Sequence, residues 1–236
     1  IITPTANLCS GTAINVAVTV NPIPNTTATP SSQSICSGGS TSIALTSNVT
    51  GANFNWTVSQ SNVSGATAGS GVSIVQSLAA TTTSPGTATY TITPSANSCN
   101  GTTTNVTITV NPIPNATATP AAQTICSGAS TNIALTSNVS GAGFSWVVSS
   151  SAGITGASNS SGTTISQVLS NSNATAGTAT YQITPSANSC SGSPINVVVT
   201  VNPSPNVTPS PTAQTICSGA TTNISLSSNV SGATIN

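Results

Sequence analysis

The sequence contains no charged side chain. Lys plus Arg, Asp plus Glu, and His each number 0 among 236 residues, whereas about a quarter of the residues in an ordinary globular chain are charged. General acid–base catalysis near neutral pH uses His, Glu, Asp or Lys, and a Ser or Thr nucleophile needs a neighbouring base. We therefore expect no catalytic residues and a protein that is not an enzyme.

The same absence restricts ligands and cofactors. Proteins bind nucleic acids through Lys and Arg that neutralise phosphates, calcium loops need carboxylates, and structural zinc sites need clusters of Cys and His. The six cysteines occur singly, and the chain has no His. The sequence predicts no nucleic-acid partner, no metal site and no cofactor.

Long apolar runs are missing as well. The longest ones, such as residues 195–201, have the length of a strand and are interrupted by Asn196 and Thr200. A membrane-spanning helix needs roughly 18 or more consecutive apolar residues. The sequence therefore predicts no membrane span.

What the sequence does contain is an internal repeat. Two series of cysteines recur at spacings of 90 and 91 residues: Cys9, Cys99 and Cys190, and Cys36, Cys126 and Cys217. The motif Asn-Pro-Ile-Pro-Asn stands at 21–25 and 111–115, and Asn-Pro-Ser-Pro-Asn stands at 202–206. Since Pro fixes φ and favours an extended residue before it, we place the repeat boundaries at these motifs.

These boundaries predict four domains or parts of domains. Residues 24–113 and 114–204 each form a complete β-sandwich repeat. Residues 1–23 form the C-terminal part of a repeat, its last strands, and residues 205–236 form the N-terminal part of a further repeat. Because both ends align with the interior of a repeat, we expect the chain to be a segment of a longer array.

Within each repeat, apolar residues alternate with Thr, Ser and Asn, which is the pattern of half-buried strands. Phe54, Trp56 and Val58 share one face of such a predicted strand. Further strand faces are predicted for Ala88 with Tyr90 and Ile92, for Val106 with Ile108 and Val110, for Ile43 with Leu45, and for Ile74 with Leu78. Six or seven short strands in about ninety residues are typical of a β-sandwich, so the predicted fold class is all-β.

The order of the motifs resembles a known family of repeats. Each repeat carries Ile-Cys-Ser-Gly, then Phe-x-Trp, Gly-Thr-Ala-Thr-Tyr, Ile-Thr-Pro, a Cys followed closely by Gly, and a last strand that ends in Thr-Val-Asn-Pro. This is similar to the PKD-like and Ig-like repeats of large secreted surface proteins of Bacteroidota, including gliding-type adhesins exported by the type nine secretion system. The acidic Trp-Asp-Phe-Gly-Asp-Gly element of PKD domains is absent, and Asn-Trp-Thr-Val stands in its place at 55–58.

The resemblance implies tandem Ig-like or PKD-like β-sandwich domains in an extended array outside the cell. It implies use as a stalk, a spacer or a binding module. Six aromatic residues are predicted to lie in the core, as buried Trp residues of sandwich domains do: Trp56, Trp146, Tyr90, Tyr181, Phe54 and Phe144. The alternative for the two Trp residues is an exposed platform that stacks on carbohydrate.

All six cysteines are candidates for disulfides, which fit an oxidising exterior, and three pairings suit the repeat. A within-repeat scheme joins Cys36 to Cys99 and Cys126 to Cys190. A local scheme joins Cys9 to Cys36, Cys99 to Cys126 and Cys190 to Cys217. A between-repeat scheme pairs Cys36 with Cys190. The two cysteines of one sandwich would lie at opposite poles, roughly 23 Å apart and beyond the reach of a disulfide, whereas in a straight array the pole of one repeat faces the opposite pole of the next. These alternatives stay open on the sequence alone.

The function expected from this composition is structural: a repeat module of an extracellular stalk, filament or adhesin shaft on a bacterial surface. The alternative is a glycan-binding module of a secreted polysaccharide-degrading or adhesive protein. Thr-x-Thr ladders such as residues 107–109 leave an ice- or mineral-binding surface as a third interpretation.

Neutrality also predicts partners, because proteins near zero net charge dissolve poorly. We expect contacts with neighbouring repeats of the same chain. To offset the low solubility we expect lateral or end-to-end self-association, surface glycans, or charged segments elsewhere in the longer chain. Sequons such as Asn48-Val49-Thr50 and Asn138-Val139-Ser140 offer acceptors for glycans.

The missing charges predict stability that hardly depends on pH. Stability changes with pH only where the folded and unfolded states bind different numbers of protons, and this chain has no carboxylate, imidazole or amine side chain. Scanning calorimetry between pH 3 and pH 8 should therefore give melting temperatures that agree within about 2 °C. A steep change across this range would contradict the prediction.

Overall fold

The computed structural model describes all of residues 1–236 and consists of strands, turns and loops. The fold is all-β, as predicted, with two tandem β-sandwich domains of the Ig-like or PKD-like kind. None of its segments is a helix long and apolar enough to cross a membrane. By its internal packing the chain divides into two compact units, residues 1–79 with 86–110, and residues 80–85 with 111–236. The domain boundaries placed at the Pro motifs remain a prediction.

The first half of the chain forms thirteen strands. They are β1 (Thr5–Ala6), β2 (Cys9–Ser10), β3 (Thr27–Thr29), β4 (Ser32–Cys36), β5 (Ile43–Thr46), β6 (Asn53–Ser61), β7 (Val63–Ser64), β8 (Gly69–Ser70), β9 (Ser73–Ile74), β10 (Ala79–Ala80), β11 (Gly86–Ala96), β12 (Cys99–Asn100) and β13 (Thr104–Asn111).

The second half repeats this order. Its strands are β14 (Thr117–Thr119), β15 (Ala122–Cys126), β16 (Ile133–Thr136), β17 (Gly143–Ser150), β18 (Ile154–Thr155), β19 (Ser160–Ser161), β20 (Thr164–Ile165), β21 (Ser170–Asn171), β22 (Gly177–Ala187), β23 (Cys190–Ser191), β24 (Ile195–Asn202), β25 (Val207–Ser210) and β26 (Ser225–Ser228).

Each complete repeat has two layers. In the first, β3, β5 and β9 form a three-stranded layer, and the other layer has the order β4-β13-β11-β6-β8, with β12 paired to β11. In the second, β14, β16 and β20 face a sheet of the order β15-β24-β22-β17-β19, with β23 paired to β22. The strand β15 runs parallel to β24, whereas β22 pairs antiparallel with both of its neighbours. The short pairs β7 with β10 and β18 with β21 complete the two sandwiches.

The core lies between the layers and follows the period of two. On β11, every second residue from Gly86 to Ala96 is buried, and the Thr residues between them lie on the outer face. Burial of the same kind occurs on β22. The core of the second repeat is a cluster that includes Ile133, Leu135, Leu169, Ile183 and Val199. Small aliphatic side chains on alternating positions therefore fill most of each sandwich.

Tight turns join the longest strand of each repeat to the short strand after it. Asn97 and Ser98 have φ values of +48° and +63°, and Asn188 and Ser189 have +49° and +64°. Two successive residues with positive φ form the two-residue hairpin turn that matches the twist of antiparallel strands, and Asn tolerates this conformation better than most residues.

One predicted strand is shorter than the alternation indicates. Ile74 and Leu78 do not share one strand, because β9 ends at Ile74 and the next pairing is an isolated bridge between Ser40 and Ser77. Here the N–H of Gln76 donates to the hydroxyl of Thr41 instead of to a strand carbonyl. Side-chain hydroxyls of this kind compete with sheet pairing.

The last strand predicted within residues 1–23 is also not formed. Ile14 makes an isolated bridge to Ile2, and Val16, Val18 and Val20 are 55%, 80% and 87% exposed. In the complete repeats, the equivalent valines and isoleucines are buried because a longer strand pairs beside them. Apolar alternation alone does not form a strand without such a partner.

A group of buried and half-buried polar side chains connects the two layers of each sandwich. In the first repeat, the hydroxyl of Tyr90 donates to Oε1 of Gln76 at 2.7 Å, and Nε2 of Gln76 donates to the carbonyl of Thr67 at 2.9 Å. The N–H of Gln76 donates to Oγ1 of Thr41, which in turn donates to the carbonyl of Ile74. Trp56 belongs to the same group, because its Nε1 also donates to the carbonyl of Thr67. We call this group of residues the glutamine hub.

The second repeat has the same hub around Gln167. Tyr181 donates to its Oε1 at 3.0 Å, its Nε2 donates to the carbonyl of Ser158 at 2.9 Å, and its N–H donates to Oγ1 of Thr131 at 2.9 Å. Trp146 Nε1 also donates to the carbonyl of Ser158. The glutamine hub is therefore a repeated structural element that satisfies buried polar atoms without any charge.

The buried tyrosines predict the pH at which the free energy of unfolding begins to fall. Burial raises the pKa of Tyr90 and of Tyr181 above the ordinary value of 10.0. The unfolded chain therefore loses these protons at lower pH than the folded chain, so the stabilisation is complete below pH 10 and is lost as pH rises through the raised pKa values. Urea unfolding from pH 8 to pH 12 should show this fall, and a Tyr90→Phe, Tyr181→Phe double variant should show less of it.

Candidate functional site

The main feature that the complete repeats share outside their cores is the way each Asn-Pro-x-Pro-Asn motif is held. We call residues 21–25 and residues 111–115 the linker segments. Each one lies in the same compact unit as the repeat that follows it in sequence. Pro24 and Pro114 are buried there, and Asn111 is only 6% exposed. These segments are therefore packed parts of a domain, unlike free tethers.

A reciprocal pair of hydrogen bonds fixes the end of each linker segment. The N–H of Asn115 donates to Oδ1 of Asn138 at 2.9 Å, and the N–H of Asn138 donates to Oδ1 of Asn115 at 2.7 Å. Asn25 and Asn48 form the same pair at 2.8 Å in both directions. Asn206 and Asn229 form a third copy at 2.8 and 3.2 Å. We call this arrangement the asparagine clamp.

A close backbone approach holds the middle of the linker segment. A Cβ atom added at Gly192 would overlap the carbonyl oxygen of Pro114, and one added at Gly101 would overlap the carbonyl oxygen of Pro24 in the same way. Each glycine donates its N–H to a carbonyl of its own long strand, that of Pro185 or Pro94, at 2.9 Å. Glycine is needed at this position because any side chain would displace the linker segment.

The start of the linker segment is held at the hairpin turn. The side-chain amide of Asn111 donates to the carbonyl of Asn188 at 3.4 Å, and that of Asn21 donates to the carbonyl of Asn97 at 3.2 Å. The positive φ values of Asn97 and Asn188 belong to the two-residue turns described above. Three contacts in a row therefore bind each linker segment: the hairpin turn, the glycine and the clamp.

The clamp and the hub were not identified in the sequence analysis. A signal for the clamp exists, because an Asn stands 23 residues after the second Asn of each linker motif, at Asn48, Asn138 and Asn229. Two of these residues also begin the sequons singled out above, Asn48-Val49-Thr50 and Asn138-Val139-Ser140. The clamp uses their Oδ1 and backbone N–H atoms.

The six aromatic side chains predicted for the core are all buried. Trp56 is 7% and Trp146 is 5% exposed, and Tyr90 and Tyr181 are 0% exposed. Phe54 and Phe144 are buried beside them. A ring in this position presents no face to solvent, so stacking on carbohydrate would require the Trp side chain to leave the core.

The cysteines differ in their chemical state. Cys36 and Cys190 are disulfide-bonded, so the chain contains a disulfide. The thiols of Cys9, Cys99, Cys126 and Cys217 are free. The within-repeat and local pairings are therefore not formed, because each of their bonds requires one of these four thiols. The pairing of Cys36 with Cys190 from the between-repeat scheme stays compatible with these states.

The surface offers one further concave region of note. A cavity of about 400 Å³ on the first repeat is lined by residues of β6, β8 and their surroundings, among them Asn53, Asn55 and Ser70. Its lining also includes Ala52, Phe54, Gly71, Val72 and Ser95. The amide and hydroxyl groups of this lining can donate and accept hydrogen bonds, but none of them can act as a general acid or base near neutral pH.

The glycine contact gives a test of the linker segment. The Gly192→Ala substitution should destabilise the second repeat by about 1–3 kcal/mol, because the added methyl group forces Pro114 away from its position. The matched control is Gly143→Ala, where the nearest atom to a new Cβ is Ser186 Oγ at 3.9 Å, and we expect a change within about 0.5 kcal/mol. Urea unfolding monitored by tryptophan fluorescence measures both, and equal effects of the two changes would contradict the close approach.

Comparisons with known proteins agree with this architecture. A family model described as a PKD-like domain matches residues 33–114 and 123–205. Comparison with curated protein sequences found no match.

Among solved structures, the chain is similar to mouse cadherin-23 EC22–24, with 12% identity, a TM-score of 0.40, and coverage of 80% of this chain and 69% of that one. It is similar to the N-terminal four Ig domains of Dscam1 isoform 6.9, with 12% identity, a TM-score of 0.36, and coverage of 77% and 46%. It is also similar to fibronectin(III)-like modules of Clostridium thermocellum CbhA, with 10% identity, a TM-score of 0.31, and coverage of 77% and 95%. The chain thus spans less than half of the Dscam1 fragment. Because the family model matches both complete repeats and more than half of the sequence, the chain belongs to the PKD-like domain family.

Proposed function

We propose that this chain is a structural repeat module of an extracellular stalk, filament or adhesin shaft on a bacterial surface, without catalytic activity of its own. The observation that carries the proposal is the linker segment, which is bound by the same three contacts in both complete repeats. Because the linker segment is bound to the repeat that follows it, a pulling force on the linker segment acts directly on the sheets of that repeat.

The architecture supports a mechanical role. In each repeat the longest strand is central and pairs along its length with two neighbours, β11 with β6 and β13, and β22 with β17 and β24. In the second repeat β15 and the last strand β24 are parallel neighbours, so pulling the two ends of the repeat apart loads the hydrogen bonds between them together instead of one at a time. The glutamine hub adds bonds between the two layers.

The chemistry of the chain fits an exterior location. A disulfide is present, and disulfides persist in oxidising compartments. The sequence has no Lys or Arg, so proteases that cleave after basic residues have no site in it. Export by a type nine system from a Bacteroidota cell, glycosylation and adhesion at a distal tip belong to the proposal, and they rest on the resemblance of the repeats to secreted surface proteins.

Single-molecule force spectroscopy tests the proposal on the whole chain. With the ends tethered and the disulfide reduced, we expect two unfolding events of equal length. Each should lengthen the chain by about 300 Å, because roughly ninety residues extend at about 3.3–3.6 Å each. Gly192→Ala should lower the force of one of the two events, because it loosens one linker segment.

Two results would contradict the proposal. The first is extension without resolvable force peaks, which would mean that the repeats do not resist tension. The second is specific binding of the folded chain to an oligosaccharide on a glycan array, which would favour the glycan-binding alternative.

A further inference from the structure

The two complete repeats differ at one edge of the larger sheet. β6 spans nine residues, but its outer neighbour β8 pairs only with Asn55 and Trp56. Residues 57–61 of β6 therefore have β11 on one side and no strand on the other. We call residues 57–61 the open edge. The side chains of this stretch are exposed apart from Val58, which is half-buried.

The direction of the backbone groups at this edge follows from the pairing. The carbonyl of Phe54 accepts a hydrogen bond from the N–H of Gly71, which lies on the outer side. Along an antiparallel strand, alternate residues direct both N–H and C=O to the same side. Val58 and Gln60 therefore direct their N–H and C=O groups outward at the open edge.

The second repeat closes the same position with a side chain. There, the N–H of Val148, the counterpart of Val58, donates to Oδ1 of Asn159 at 2.8 Å. The residue of the first repeat that corresponds to Asn159 is Ala68, because both follow the residue whose carbonyl accepts from the Trp indole. Alanine has no acceptor to offer. The sister repeat thus shows that this N–H takes an amide oxygen when one is present.

The open edge also lacks the usual protection against pairing. Natural edge strands carry charges, Pro or bulges that prevent the addition of another strand. The sequence of the open edge is Thr-Val-Ser-Gln-Ser, and the chain has no charge elsewhere that could repel a neighbour. Exposed edges of this kind accept an extended strand by backbone hydrogen bonding.

We propose that the open edge binds the open edge of a second copy of this chain, in an antiparallel pair with two-fold symmetry. With Ser59 opposite Ser59 of the second copy, Val58 lies opposite Gln60 of the second copy and Gln60 lies opposite its Val58. Both outward N–H groups and both outward C=O groups of each strand then find partners, because each of these opposed pairs exchanges two hydrogen bonds. A self-complementary patch of this type gives a closed dimer.

The occupant is a second copy because the surface is complementary to itself. The two paired strands have the same sequence, and their hydroxyl and amide side chains are uncharged, so they can lie opposite one another without electrostatic repulsion. Low solubility at zero net charge favours such contacts. In a shaft, this pairing would attach one shaft laterally to another. That role rests on the proposed function, whereas the pairing itself does not.

Matched variants separate this edge from every other surface. Ala68→Asn introduces the cap of the sister repeat, and Gln60→Pro removes one outward N–H while leaving the bonds to β11 intact. Each should raise the dimer dissociation constant at least about tenfold. Ser150→Pro is the control, since Ser150 is the counterpart of Gln60 on β17 and is equally exposed. Asn159→Ala should strengthen association by opening the second edge.

The measurement is sedimentation velocity across a range of concentrations, on full-length chain whose free thiols have been alkylated so that no intermolecular disulfide contributes. Near-ultraviolet circular dichroism of the buried Trp residues confirms that each variant is folded. Hydrogen exchange of the Val58 and Gln60 amides in the unmodified sequence gives a second readout, and both should become protected as concentration rises.

Three outcomes overturn the proposal: a chain that stays monomeric at about 1 mM, a dimer that Ala68→Asn leaves unchanged, and a complex only with an extended peptide of another protein. A monomeric chain that still unfolds in two force peaks would refute the pairing and leave the shaft function standing.

Discussion

Buried polar atoms of this protein have to be satisfied by neutral hydrogen bonds, because the chain contains no Asp, Glu, Lys, Arg or His. Burial of an unpaired polar group is costly, and an amide side chain carries a carbonyl acceptor and two N–H donors, more than a hydroxyl offers. Gln76 and Gln167, both half-buried, meet this requirement in their repeats, because one amide serves a Tyr hydroxyl, a backbone carbonyl and a backbone N–H at once. The one buried side-chain oxygen without a partner is Oγ1 of Thr26.

The same neutral chemistry extends from the core to the linker segments. The asparagine clamp joins two backbone N–H groups to two amide oxygens, and neither half of it titrates or is screened by salt as an ion pair would be. In a domain held together in this way, the core and the linker segment remain folded under the same conditions of pH and salt. That property supports the proposed use of the repeats as a shaft exposed to changing surroundings.

Much of the fold was predictable because apolar alternation, turn residues and the repeat all report on the same sandwich. The buried faces of β6, β11 and β13 follow directly from Phe54, Tyr90 and Val106 and the alternating residues around them. The candidate site was less predictable, because its contacts depend on spatial neighbours. Nothing local to Gly192 indicates that Pro114 lies against it. Gln76 lies in a predicted strand whose pairing Thr41 interrupts, and neither residue carries a pattern that indicates the other.

Similar tandem repeats have to limit pairing with one another, since similar neighbouring domains are prone to misassembly. Charged gatekeepers usually serve this purpose at sheet edges, and this composition excludes them. The second repeat uses Asn159 instead, whose Oδ1 accepts a hydrogen bond from the N–H of Val148, one of the outward donors that an added strand would need. A single neutral side chain can therefore hinder the addition of a strand at a sheet edge, as a Lys does in other proteins. Because the first repeat has Ala68 at this position, we expect strand addition at the open edge of that repeat in preference to its counterpart on the second repeat.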